Sequence, residues 1–318
     1  MANLKRIAIQ LFGHLRTFEY TFDSFRKNLL EKNIQDGYQI DIFIHTWDEL
    51  EHSTINYRNV DGNVLTQERL TNEKLLLVNK LYQPKKILIE PQLEYIDEVL
   101  VEKIGQFPRA KKGCLNNSYT IYMANKLRNQ FETENSIRYD WVIVTRPDIF
   151  FKKTFRIDSF LSCYLDFQLP IPQNTIFHGF NPFGRGNMIE DPHFLAGSDL
   201  VFFGSPNTIN NASSLYTDFE DNIQSGDFYC MEVWWANFWR KKGININPIN
   251  FKHGPDFDVI KTEFIEEKKL TQYSKFKYIK RVVFFYILNL FPYCLVKNKV
   301  YKLQKKIIKM EMFSKKSE

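Results

Sequence analysis

The sequence is notable first for what it lacks. It has no CxxC pair and no Cys/His cluster, and its four cysteines, Cys114, Cys163, Cys230 and Cys294, are far apart. Neither a disulfide framework nor a zinc site is therefore indicated, which favours a reducing, cytoplasmic setting. It has no GxxxxGK[ST] or GxGxxG loop, so the common glycine-rich phosphate cradles are absent, and no GxSxG or HExxH motif. Long apolar runs are missing too. The longest, Val282 to Val296, has fifteen residues and contains Asn289 and Pro292. A membrane-spanning helix needs roughly 20. The apolar run near the N-terminus is short and broken by Gln10, which reads as a first strand rather than a signal peptide.

Charge is present but unevenly placed. The 318 residues carry a formal net charge of +6. The segment from Lys275 to Glu318 holds twelve Lys/Arg against two Glu, which leaves the body mildly acidic. A general nucleic-acid-binding surface is therefore not expected. Apolar content of 44% and aromatic content of 16% fit a globular chain with ample core.

Periodicity gives an alternating α/β order. RIAIQLFG reads as a strand ending in Gly13. Thr17 to Asn33 has Phe18, Phe22, Phe25, Leu29 and Leu30 at helical spacing, and Tyr38 to Trp47 is a second strand. Such a β-α-β start predicts a mostly parallel, buried sheet flanked by helices. Further helices are expected over about Asn72–Tyr82, Glu94–Lys103 and Ser118–Phe131, the last with Tyr119, Tyr122, Met123, Leu127 and Phe131 inward. Asp48 to Gln67 and Gly105 to Asn117 read as loops, and so does Pro170 to Pro192. Strands are expected over Lys85–Pro91, Tyr139–Val144, Ser198–Pro206 and Ile244–Phe251, and a tryptophan-rich helix over Phe228–Lys242. The layout is one α/β domain over 1–272 and a basic, amphipathic, helical appendage over 273–318.

The segment Thr145-Arg146-Pro147-Asp148 follows the strand Trp141 to Val144. Carboxyl ends of strands are where ligands sit in open α/β sheets. A carboxylate there can hold Mg²⁺ or Mn²⁺ on a diphosphate, and arginine offers a planar fork matched to phosphate. A strand-end ion pair with no ligand is the plainer reading of the same residues.

With GHLR after the first strand, DIFIHTW in the second and TRPDIFF after a later one, the chain resembles GT-A-type glycosyltransferases, particularly bacterial enzymes of capsule and lipooligosaccharide synthesis. The resemblance spans roughly residues 5 to 255. It implies a nucleotide-sugar donor, a glycan or lipid-linked glycan acceptor and a divalent cation, Mn²⁺ or Mg²⁺, on an Asp-x-Asp motif. Asp148 matches the last carboxylate of that motif, whereas Arg146 stands where the first is expected. His253 matches a late histidine ligand. Gly13 and Arg16 match the strand end that contacts the nucleotide, and Asp199 is a candidate for a sugar hydroxyl. The acceptor base implied for an inverting transfer is Asp227, Glu232 or Asp191; Asp227 also reads as a helix cap. One of Trp234, Trp235 and Trp239 is a candidate to stack on a sugar. The basic, apolar tail suggests contact with anionic lipid, placing the protein in the cytoplasm, peripheral on the inner face of the cytoplasmic membrane. A non-catalytic scaffold in envelope glycan assembly is the competing expectation.

Overall fold

The computed structural model describes residues 5–51, 69–93, 108–180, 199–218 and 231–260. All of them belong to one compact unit, Met1–Thr262. The expected helix at 94–103 and the appendage at 273–318 lie outside the described residues.

The first strand explains the architecture. β1, Arg6–Phe12, is buried along nearly its whole length. Its odd residues Ile7, Ile9 and Leu11 enter one core, and Ala8 and Phe12 enter another. A strand apolar on both faces needs helices above and below it. The first core is closed by α1, Phe18–Phe25, by a π turn at Arg26–Leu30 and by α2 and α3, Glu31–Gln35 and Asn72–Tyr82. The second is closed by α4, Pro108–Asn135, with contributions from two later helices.

Besides β1, the main sheet contains β2, Gln39–Trp47; β3, Lys86–Glu90; β4, Trp141–Thr145; β6, Thr175–Phe180; β7, Val201–Gly204; and β8, Asn245–Lys252. Their order is β3-β2-β1-β4-β7-β6-β8. Four neighbouring pairs are parallel, and only β7 runs against its neighbours. The sheet is thus α/β, large, mixed and mostly parallel. The chain moves outward from β1 through β2 to β3, then returns to the other side of β1 to form β4. The topological switch point lies between β1 and β4.

After Asp148 the chain leaves the main sheet. β5, Ile149–Phe151, pairs antiparallel with β9, Phe257–Val259, in a separate two-stranded sheet. The short helices α5, Ile157–Phe160, and α6, Ser162–Asp166, follow. Helices α7, Pro206–Ser213, and α8, Met231–Lys241, complete the described elements.

The structure corrects several expectations. α4 already runs from Pro108, through residues expected to be a loop. Cys114, Leu115 and Ser118 are buried on it, so packing overrides the weak helix propensity of that glycine- and asparagine-containing stretch. Its buried face carries Ile121, Ala124, Leu127 and Arg128 rather than the tyrosines, which are only partly buried. β6 lies inside the expected 170–192 loop, its buried TIFHGF inserted between β7 and β8.

Candidate functional site

Arg16 lies just beyond the carboxyl end of β1, and Arg146 and Asp148 just beyond that of β4. Because β1 and β4 are adjacent and parallel, the three residues meet at the switch point. Arg146 donates from Nε to Asp148 Oδ1 at 2.9 Å and from Nη2 to Oδ2 at 2.6 Å. Arg16 donates from Nη1 to the same Oδ2 at 2.9 Å. The carboxylate is fully buried, while each arginine side chain keeps 19% of its surface exposed. Burial alone would raise the Asp148 pKa. The charges of Arg146 and then Arg16, with their hydrogen bonds, hold it below the usual carboxylate range.

Backbone conformation at this edge is unusual. Gly13 has φ +86°, and Arg16 itself has φ +45°, a left-handed conformation costly for a side-chain-bearing residue. The Arg16 N–H donates to the Leu50 carbonyl at 2.9 Å, and Arg16 Nε lies 3.6 Å from Glu51. The loop after β2 therefore holds Arg16 in place.

A polar stripe on the first helical segment holds the other half. Thr17 Oγ1 donates to the Ile260 carbonyl at 2.6 Å, and the Ile260 N–H donates to the Asp148 carbonyl at 2.9 Å. Thr21 donates to the Pro147 carbonyl at 2.5 Å. Ser24 accepts from the Phe151 N–H at 3.0 Å, and Asn28 donates to the Phe151 carbonyl at 2.6 Å. Asn33 donates to the Phe155 carbonyl at 2.8 Å and accepts from the Ile157 N–H at 3.1 Å. The steps between these five residues are four, three, four and five. The five-residue step crosses the π turn at Arg26–Leu30, whose wider pitch keeps Asn33 on the clamping face.

Asp199 is buried just before β7, and the structure groups it electrostatically with Glu232 and Arg146. Burial and then the Glu232 charge push its pKa up to about 7, against the pull of Arg146. Of the site residues expected from sequence, the structure therefore gathers Arg16, Arg146 and Asp148 by hydrogen bonds and links Asp199 and Glu232 to them by charge. Gly13 lies on the same edge. His253 follows β8, where its Nε2 meets Asp258 Oδ1 at 3.2 Å, rather than joining Asp148. Asp191 and Asp227 lie outside the described residues. Trp234, Trp235 and Trp239 are all buried, so none offers an open face for stacking.

Glu51 and the Thr17, Thr21, Ser24, Asn28 and Asn33 stripe are not among the residues that the sequence singles out. The stripe's signal is nevertheless there, as short polar residues recurring at near-helical spacing beside the phenylalanines.

A family model described as a domain of unknown function, DUF7796, matches residues 2–193. The chain belongs to that family. The match includes Arg16, Arg146, Asp148 and the whole clamping stripe, whereas Asp199, Glu232 and His253 lie beyond it. No curated protein matches the sequence.

The resemblance to GT-A enzymes implies a divalent cation, and the donor set can be tested for fit. Both Asp148 oxygens already accept guanidinium N–H groups, Arg146 replaces a carboxylate with a cation, and His253 is paired elsewhere. As arranged among the described residues, Asp148 and His253 do not fit a shared cation. The partly exposed faces of two guanidinium groups instead present fixed N–H donors suited to phosphate oxygens.

Proposed function

We propose that the protein is a glycosyltransferase that moves a sugar from a nucleotide-sugar donor to a growing surface glycan, such as capsule or lipooligosaccharide. The observation that carries this reading is the pair of arginines bound to one buried aspartate at the switch point of a mostly parallel sheet. A nucleoside diphosphate leaves with negative charge, and Arg16 and Arg146 are positioned to take it up. Asp148 does not meet the substrate in this scheme. It fixes both guanidinium groups, so they need little reorganisation as charge develops. Asp199 and Glu232 provide the carboxylates of the acceptor side. One near-neutral pKa in such a pair suits removal of a proton from an acceptor hydroxyl.

The tail supports contact with an anionic membrane surface through basic residues flanking an apolar run. Among the described residues no helix is long and apolar enough to cross a membrane.

The experiment that tests the reading is thermal stabilisation by UDP, GDP and CMP, each with Mn²⁺ or with EDTA. Bound ligand raises Tm by mass action. The expected result is a shift with one nucleotide that survives EDTA and disappears in Arg146→Ala. A shift that requires Mn²⁺ would return the diphosphate to a metal. No shift with any nucleotide would favour the scaffold.

A further inference from the structure

We propose that Glu90 and the tyrosines around it form a second subsite, which binds the vicinal hydroxyls of a sugar ring. The proposal rests on the nucleotide-sugar reading and adds a contact region to it. Glu90 ends β3 and lies in register with Trp47 at the end of β2. Both therefore stand on the same carboxyl edge as the arginines, on the β2–β3 side of the switch point. The His14 ring lies 6.4 Å from that of Trp47 and two residues before Arg16, so the two regions adjoin.

The Glu90 carboxylate is only half committed. Tyr119 donates its hydroxyl to Oε2 at 2.8 Å, and His45 Nε2 meets the same oxygen at 2.9 Å. Oε1 accepts no hydrogen bond among the described residues, and the side chain is 30% exposed. Desolvation would raise the Glu90 pKa, but the His45 and Tyr119 hydrogen bonds and the Lys126 charge bring it below its ordinary value. Glu90 is thus an ionised acceptor with one oxygen open.

The surrounding rings are ordered. Tyr119 stacks on Trp47 with centroids 5.8 Å apart. Tyr216 packs edge-on against Tyr119 at 4.9 Å and beside Tyr122 at 5.6 Å. Tyr122 and Tyr216 are partly exposed, and neither hydroxyl has a hydrogen-bond partner among the described residues. Tyr122 also stands at one end of an open surface groove of about 400 Å³, whose other described lining residues lie further along α4, from Asn125 to Glu134. A cluster built only for packing tends to bury or pair its polar atoms. This one offers a carboxylate oxygen, two phenols and apolar ring faces at the protein surface. A sugar ring presents the complement, adjacent hydroxyls on its edge and C–H groups on its face.

The ring has two possible sources, the ribose of a nucleotide or a hexose unit of the glycan. Calorimetry on the full chain separates them. The probes are inorganic pyrophosphate, UDP and GDP, their 2′,3′-dideoxy forms, and methyl hexosides. The expected result is that at least one diol-bearing probe binds, and that Glu90→Gln and Tyr216→Phe each weaken it at least fivefold while pyrophosphate binding is unchanged. A ribose source shows itself as weaker binding of the dideoxy nucleotide, with that form insensitive to both substitutions. A hexose source shows itself as hexoside binding that both substitutions weaken. Wild-type affinity for every diol probe in both variants, or no binding of any diol probe, overturns the subsite. The pyrophosphate arm reports separately on the glycosyltransferase reading. If neither pyrophosphate nor any nucleotide binds wild type, that reading fails whatever the hexosides do.

Discussion

Arg146 and Asp148 form a two-point pair, Nε to Oδ1 at 2.9 Å and Nη2 to Oδ2 at 2.6 Å, with the carboxylate fully buried. A buried charge that loses one partner costs more than the pair contributes in place. Asp148→Asn would leave Arg146 and Arg16 repelling each other over a neutral amide. The expected loss is about 3 kcal/mol of unfolding free energy, read by urea denaturation at pH 7. Arg146→Lys keeps the charge but not the planar fork. It should retain more stability than Asp148→Asn while losing most of the nucleotide-induced Tm shift.

The same pair sets a dependence on acid. The Asp148 pKa is depressed on folding, so its contribution is fully present above the unfolded value of about 3.9 and is lost as pH falls through the folded value below it. The difference in stability between wild type and Asp148→Asn should therefore hold steady from pH 7 to about 4 and shrink only below that. A difference that had already vanished by pH 5.5 would show that Asp148 is not held by the two arginines.

Arg16 separates fold from binding. Its φ of +45° is one that glycine adopts freely. Arg16→Gly relieves backbone strain of about 1 kcal/mol while removing one hydrogen bond to Asp148. The charged hydrogen bond outweighs the strain, so the variant should lose only about 1–2 kcal/mol of unfolding free energy. Its affinity for nucleoside diphosphate should nevertheless fall at least tenfold in calorimetry, because a phosphate donor is gone. Equal affinity would remove Arg16 from the site.

The clamp is testable at Asn33, which is fully buried and serves both the Phe155 carbonyl and the Ile157 N–H. Asn33→Leu fits the space but leaves both backbone groups unpaired. Each unsatisfied buried group costs about 1–3 kcal/mol, so the expected loss is about 3 kcal/mol. Amide hydrogen exchange should quicken first at Ile157 and Phe155. Protection unchanged there would mean that Asn33 is not part of what holds the segment after Asp148.

How much of this was legible in the sequence depended on the kind of signal. RIAIQLF, DIFIHTW and WVIVT carry apolar residues on both strand faces, which forces a two-sided sheet, and TRPD at the end of the third marked the site. Asp148 and Arg146 stand out because they are a charged pair at the carboxyl end of a buried strand, where ligands sit in open α/β sheets. The link from Arg16 to Asp148 crosses 132 residues of chain and is created only when β1 and β4 become neighbours. The clamp is hidden differently. Thr17, Thr21, Ser24, Asn28 and Asn33 sit between phenylalanines whose periodicity already accounts for a helix, and the five-residue step at the π turn breaks the period that would have revealed them. The start of α4 escapes a propensity reading because its burial, not its propensity, makes it helical.

Asp199 makes the opposite pH prediction from Asp148. Its pKa is raised to about 7 by burial and by Glu232, against the attraction of Arg146. In the unfolded chain the carboxyl ionises near 3.9, so between about pH 4 and pH 7 the folded protein holds a proton that the unfolded chain has released. Unfolding is therefore increasingly favoured as pH rises across that window, and the penalty is complete above it. Asp199→Asn removes the ionisable group. It should match wild type near pH 4 and exceed it at pH 8 by on the order of 4 kcal/mol, since each tenfold change in proton affinity corresponds to about 1.4 kcal/mol. Glu232→Gln should recover part of the same gain by removing the charge that raises Asp199. Transfer activity should move the other way, with both variants slower and the alkaline-rising limb of the rate profile near pH 7 lost in Asp199→Asn. A limb that persisted in that variant would assign the proton-accepting step to another group, and a stability gain with the limb intact would leave Asp199 as a buried acid whose proton takes no part in transfer.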